Sequence, residues 1–89
     1  MDNHTSHPDV VKRLKRAQGH LKSIVTMLED GRGCLDIAQQ LQAVERAITS
    51  AKKVLVHDHV DRCLEHSVRH GTAGSDTLIR EFKEITKYL

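Results

Sequence analysis

Aromatic residues are nearly missing from this chain of 89 residues, which has no Trp, one Phe and one Tyr. A core without aromatics must be built from Leu, Ile, Val and Ala, which suits helices packed on helices. The length is that of one small domain, taken as residues 1–89. So small a core stabilises little by itself, and association with further copies is the natural supplement. Long apolar runs are missing too: none approaches the ~18 residues of a membrane span. The start, Met1-Asp2-Asn3-His4, is polar and lacks the apolar segment of a secretory signal. There is no phosphate loop, no dinucleotide fingerprint and no nucleophile–base–carboxylate set, so no enzyme is expected. An excess of one charge is absent as well. Fourteen Lys and Arg against 12 Asp and Glu leave a formal charge of +2. A case for nucleic acid must therefore rest on where the charges sit. These absences describe a cytoplasmic protein with reduced thiols and no membrane partner.

What is present begins with two cysteines, Cys34 and Cys63. In a reducing compartment a Cys/His set more often binds metal or senses redox state than staples a fold. His59 and Cys63 stand four residues apart, so on a helix they share one face. With Cys34 they make a soft donor set, suited to Cu(I) or Zn(II) and poor for Mg or Ca. Cu(I) accepts three ligands; Zn(II) would want a fourth, from water, His66 or an arm histidine, His4 or His7. The distance to Cys34 constrains the site further. On one continuous helix the offset from Cys34 to His59 spans roughly 37 Å at about 1.5 Å per residue. A metal–sulfur bond is about 2.3 Å. Either the helix doubles back, or Cys34 meets His59 and Cys63 of another chain.

The periodicity bears on that choice. Residues 1–7 are polar and read as a loose arm, and Pro8 fits a first helical turn. Val10, Leu14, Ala17, Leu21, Ile24 and Leu28 follow the alternating 4,3 spacing of an amphipathic helix with a coiled-coil-like seam, stopped by Gly31-Arg32-Gly33. Ile37, Leu41, Val44, Ile48, Ala51 and Leu55 repeat the pattern, with no Pro or Gly from Cys34 to Val68. The spacing predicts one helix of about 33 residues, roughly 50 Å long. Gly71-Thr72-Ala73-Gly74 interrupts it, and Ser75 would cap a short last helix with Leu78, Phe82, Ile85 and Leu89 inward. The expected fold is all-α, with three helices per protomer. One short helix and a stub leave the long helix's apolar stripe uncovered. A second long helix, antiparallel across a two-fold axis, would cover it. Setting Cys34 opposite the His59–Cys63 pair puts the axis near the small and apolar Ala47 and Ile48.

The positive charges cluster. Lys12, Arg13, Lys15, Arg16 and Lys22 occur in a stretch, Val10 to Leu28, that contains no acid. Arg46, Lys52 and Lys53 add to it from the long helix. Repeated by symmetry, the cluster becomes a broad basic surface acting through phosphates, with Lys12, Arg13, Lys15, Arg16 and Lys53 the candidate DNA contacts.

Cys34, the His59-x3-Cys63 pair, the Val-His-Asp-His segment at 56–59, Arg-Leu-Lys-Arg-Ala-Gln-Gly-His at 13–20 and Gln-Gln-Leu-Gln-Ala-Val-Glu at 39–45 together resemble the CsoR/RcnR family of metal-sensing repressors. The likeness runs from about Val10 to the end and looks most like the copper-sensing branch. It implies an all-helical dimer that pairs into a flat dimer of dimers without a helix-turn-helix. It implies Cu(I) sites shared between protomers, with Cys34 facing His59 and Cys63 of the partner chain, and release of operator DNA when metal binds. Glu81 matches a carboxylate that links the ligand His to the last helix. Gly33 stands where a copper sensor carries tyrosine, and Ser50 where one carries a DNA-contacting arginine. The family also holds Ni(II) and Co(II) sensors, which recruit N-terminal nitrogen or His ligands, and thiol-reactive sensors of formaldehyde or persulfide. From outside the sensors, a metal buffer or helical interaction protein without a DNA role remains the alternative.

Overall fold

The computed structural model describes residues 5–70 and 76–89, with the backbone alone for 66–70, Asp76 and Leu78. Helix α1 runs His7–Glu29, α2 runs Cys34–His70 and α3 runs Asp76–Ile85, followed by a 3-10 turn at Thr86–Tyr88. Among the described residues there is no strand, as the sequence predicts.

Helix α1 opens with Pro8, whose missing N–H costs nothing in a first turn, and Asp9, whose charge suits the helix N-terminus. Its end is set by Gly31, which takes φ +73°. In that left-handed conformation the Gly31 N–H donates to the Leu28 carbonyl at 3.1 Å and the Arg32 N–H to Met27 at 3.0 Å. This is the Schellman closure, and a side chain at position 31 would strain it. The Gly33 carbonyl then accepts from the Ile37 N–H at 3.1 Å, which opens α2 at Cys34. Helix α2 has 37 residues, somewhat more than the periodicity predicts, and it does not double back.

The tight connection folds α1 antiparallel against α2. Paired positions confirm the direction: Ser6 meets Asp58, Arg13 meets Ser50 and His20 meets Gln40. The buried residues are Val10, Ala17 and Ile24 of α1 and Ile37, Val44, Ala51, Val56 and Cys63 of α2. Ile24, Ile37 and Val44 form one cluster with Met27 packed against it. The last turns of α2 outrun α1 and are met by α3 and the 3-10 turn. Phe82 and Ile85 are partly covered there, whereas Leu89 is exposed, contrary to its predicted inward position. Ser75 and the preceding Gly71–Gly74 segment lie outside the described residues, and so does the Leu78 side chain.

Each predicted seam divides in two. The positions seven apart, 10, 17, 24 and 37, 44, 51, are buried between the helices. The alternate positions Leu14, Leu21, Leu28, Leu41 and Ile48 face outward, between 41% and 57% exposed. The shape explains why. The chain measures 59 × 22 × 14 Å, a layer one helix thick, since a helix with its side chains is about 10–12 Å across. A single layer of two helices buries one stripe of each and no more.

Candidate metal centre and basic face

His59 and Cys63 lie one turn apart toward the far end of α2, and α3 packs against that helix. Cys63 is buried, and the His59 side chain is 15% exposed. His59 Nε2 sits 2.8 Å from Glu81 Oε1 on α3. Cys34 is the first residue of α2 and is exposed. With α2 unbroken, Cys34 and Cys63 stand about 44 Å apart at roughly 1.5 Å per residue. Among the described residues no three His, Cys, Asp or Glu side chains of this chain converge so as to hold a metal ion. The structure thus places Glu81 against His59, sets Cys63 one turn further along α2, and holds Cys34 away from them. His7 is exposed at the start of α1. His4 lies outside the described residues, and so does the side chain of His66.

The same turns of α2 carry contacts that the periodicity did not suggest. The Ser6 hydroxyl donates to Asp58 Oδ2 at 2.8 Å, and Arg62 Nη2 donates to Thr5 Oγ1 at 3.3 Å. The arm residues next to α1 are thereby fastened beside His59 and Cys63. The only signal in the sequence was that Asp58 and Arg62 stand four apart, one position ahead of the His59–Cys63 pair.

Lys12, Lys15, Arg16 and Lys22 are exposed along α1. Arg13 is half-buried. Its Nε donates to Asp9 Oδ2 at 3.1 Å and its Nη1 to Ser50 Oγ at 3.2 Å. That second bond draws Arg13 to the turn of α2 that carries Lys53, so α1 and α2 share one basic surface. A groove of about 420 Å³ lies there, lined by Gln42, Glu45, Arg46, Thr49, Ser50 and Lys53. No helix among the described residues is long and apolar enough to cross a membrane.

Comparison with known proteins accords with this geometry. Residues 6–88 match the family described as metal-sensitive transcriptional repressor. The chain is similar to the copper-sensing transcriptional repressor CsoR of Mycobacterium ulcerans, 39% identical over 82% of this chain and 64% of that protein. It is likewise similar to the copper-sensing repressor CsoR of Bacillus subtilis, 32% identical over 96% of this chain and 89% of the relative. It therefore spans less than two thirds of the length of the M. ulcerans relative. Among solved structures, the nickel-responsive transcriptional regulator InrS has the same fold, with a TM-score of 0.83 at 26% identity, covering 100% of this chain and 99% of that one. By sequence over nearly its whole length, and by fold, this chain belongs to the metal-sensitive transcriptional repressor family.

Proposed function

We propose that this chain is a cytoplasmic Cu(I)-responsive repressor, a single domain that binds operator DNA without metal and releases it when Cu(I) binds. The observation that carries the reading is the separation of its sulfurs. Two donors, His59 and Cys63, sit together at one end of an unbroken α2, and the third soft donor, Cys34, sits at the other. A second chain with its α2 antiparallel, crossing near Ala47 and Ile48, offers its Cys34 to each His59–Cys63 pair. The dimer then holds two sites. Ile48 and Leu41 are outward-facing in this chain, as such a crossing requires, and the Leu14, Leu21 and Leu28 row supplies apolar surface for pairing dimers.

Two sulfurs and an imidazole fit Cu(I), which accepts three soft ligands. The Glu81 carboxylate beside His59 Nε2 supports a reading in which Nδ1 faces the metal, since a carboxylate behind the far ring nitrogen orients such a ligand. Lys12, Arg13, Lys15, Arg16 and Lys53 meet phosphates. Metal and DNA oppose one another because each favours a different arrangement of the same protein, a linkage typically of about 1–3 kcal/mol.

A second reading within the family is a Ni(II) or Co(II) sensor, with His7 or His4 as added ligands. It is favoured by the fastening of Thr5 and Ser6 beside the His59–Cys63 turn. Competition titrations with Cu(I), Ni(II), Co(II) and Zn(II), read by thiolate charge-transfer absorbance and by gel shift, discriminate. Cu(I) winning and releasing DNA supports the first reading. Ni(II) winning, and losing affinity on His7→Ala or His4→Ala, overturns it.

A further inference from the structure

We propose that Asp58 and Arg62 are positioning residues that clasp the start of α1 to the His59–Cys63 turn, so that displacement of that turn by metal is passed to the basic stretch of α1. The inference rests on the proposed metal-driven release and adds the route by which it reaches the DNA face.

Asp58 and Arg62 alternate with His59 and Cys63 along α2, so the two pairs form adjacent rows on the same turns. A helical turn moves as a unit, and drawing His59 and Cys63 toward a metal therefore carries Asp58 and Arg62 with it. Both hold the arm. Ser6 donates to Asp58 Oδ2 at 2.8 Å, and Arg62 reaches Thr5 Oγ1 at 3.3 Å. Ser6 is also the first carbonyl of α1, accepting the Val10 N–H at 2.9 Å. The clasp thus grips the helix end itself, and Lys12 and Arg13 follow within about 10 Å along the axis at roughly 1.5 Å per residue.

Arg62 Nε also lies 3.6 Å from Asp58 Oδ1, within ion-pair range, so the two clasp residues steady one another on α2. Glu81 joins the same turn to α3, so the clasp is a separate outlet toward α1.

The test uses the full chain and a DNA duplex selected from a random pool by the metal-free protein. DNA affinity is measured with and without Cu(I), anaerobically at fixed salt, for the wild type, Ser6→Ala, Asp58→Asn and Ser6→Thr. Ser6→Ala and Asp58→Asn should keep metal-free DNA affinity and Cu(I) affinity within about threefold, while the ratio of the two DNA affinities falls at least fivefold. Ser6→Thr, which retains the hydroxyl, should restore the ratio. Ser6→Ala decides alone if Asp58→Asn does not fold. Ratios equal to the wild type, or a loss of metal-free DNA affinity with the ratio preserved, overturn the clasp and leave the repressor reading standing. A wild type that does not release DNA with Cu(I) overturns both.

Discussion

His59 Nε2 lies 2.8 Å from Glu81 Oε1, and this contact ties the last turns of α2 to α3. The His59 side chain is 15% exposed and that of Glu81 50%, so the contact sits at a covered edge open to solvent on one side. A histidine–carboxylate contact so exposed contributes little to stability, about 0–1 kcal/mol. Its consequence lies in geometry: a His59 that turns toward metal must carry Glu81 along or let it go.

Glu81→Gln is therefore expected to change unfolding free energy by less than about 1 kcal/mol. It should weaken Cu(I) binding by roughly 10–100-fold, as removal of a carboxylate behind a ligand His does. His59→Ala should still take Cu(I) on two sulfurs but lose release of DNA. A His59→Ala protein that binds Cu(I) and frees DNA as the wild type does would remove His59 from the coupling.

Sharing of the site between chains is checked by mixing. Cys34→Ala and Cys63→Ala homodimers each lack one sulfur at every site. In the heterodimer, the chain with Cys34 faces the chain with Cys63 at one end, and that site is whole. Unfolding and refolding an equimolar mixture should yield about half the chains as heterodimers, each with one site that shows thiolate charge-transfer absorbance. If mixing restores no absorbance, the donors do not cross between chains.

The two apolar rows of each helix should respond differently to substitution. Ile24 is buried against Ile37 and Val44. Ile24→Ala should lower the unfolding free energy by about 2–5 kcal/mol through reduced burial and a cavity. Leu21→Glu and Ile48→Glu place charge on outward positions, so helix content should survive while assembly fails. Sedimentation should then report smaller particles, and thermal unfolding should shift downward with dilution in the wild type.

Much of this fold is written in the periodicity. The 4,3 spacing and Gly31 set the ends of α1, because helices are local structures stopped by local chemistry. The absence of Pro and Gly after Cys34 foretold an unbroken α2, and with it the separation of Cys34 from His59. The division of each seam was not legible. Val10 and Leu14 are equivalent in the pattern, yet one is buried and the other exposed. The pattern records all the apolar contacts a chain makes, within itself and with copies, and cannot assign them. The clasp was invisible for a related reason. Ser6 and Asp58 stand 52 positions apart, and only the antiparallel return of α2 brings them together.

The basic face allows a quantitative check through salt. Removing one cation that neutralises a phosphate should lower the slope of log K against log salt by about 0.9. Lys15→Ala and Arg16→Ala, at exposed positions, are expected to weaken metal-free DNA binding similarly across sequences and to lower the slope by about 1 each per chain engaged. Asp9→Asn tests Arg13 from the other side. Asp9 accepts from Arg13 at 3.1 Å and competes with phosphate for the guanidinium. Removing that carboxylate also raises the net positive charge of α1, so DNA binding should tighten and its salt dependence steepen. The first turn of α1 loses a favourable acid, worth about 0.3–1 kcal/mol, which should appear as a small drop in thermal stability. Tighter binding with a less stable helix separates the electrostatic effect from a general improvement in folding. Weaker binding by Asp9→Asn would instead mean that Arg13 is held in place by Asp9 for DNA contact.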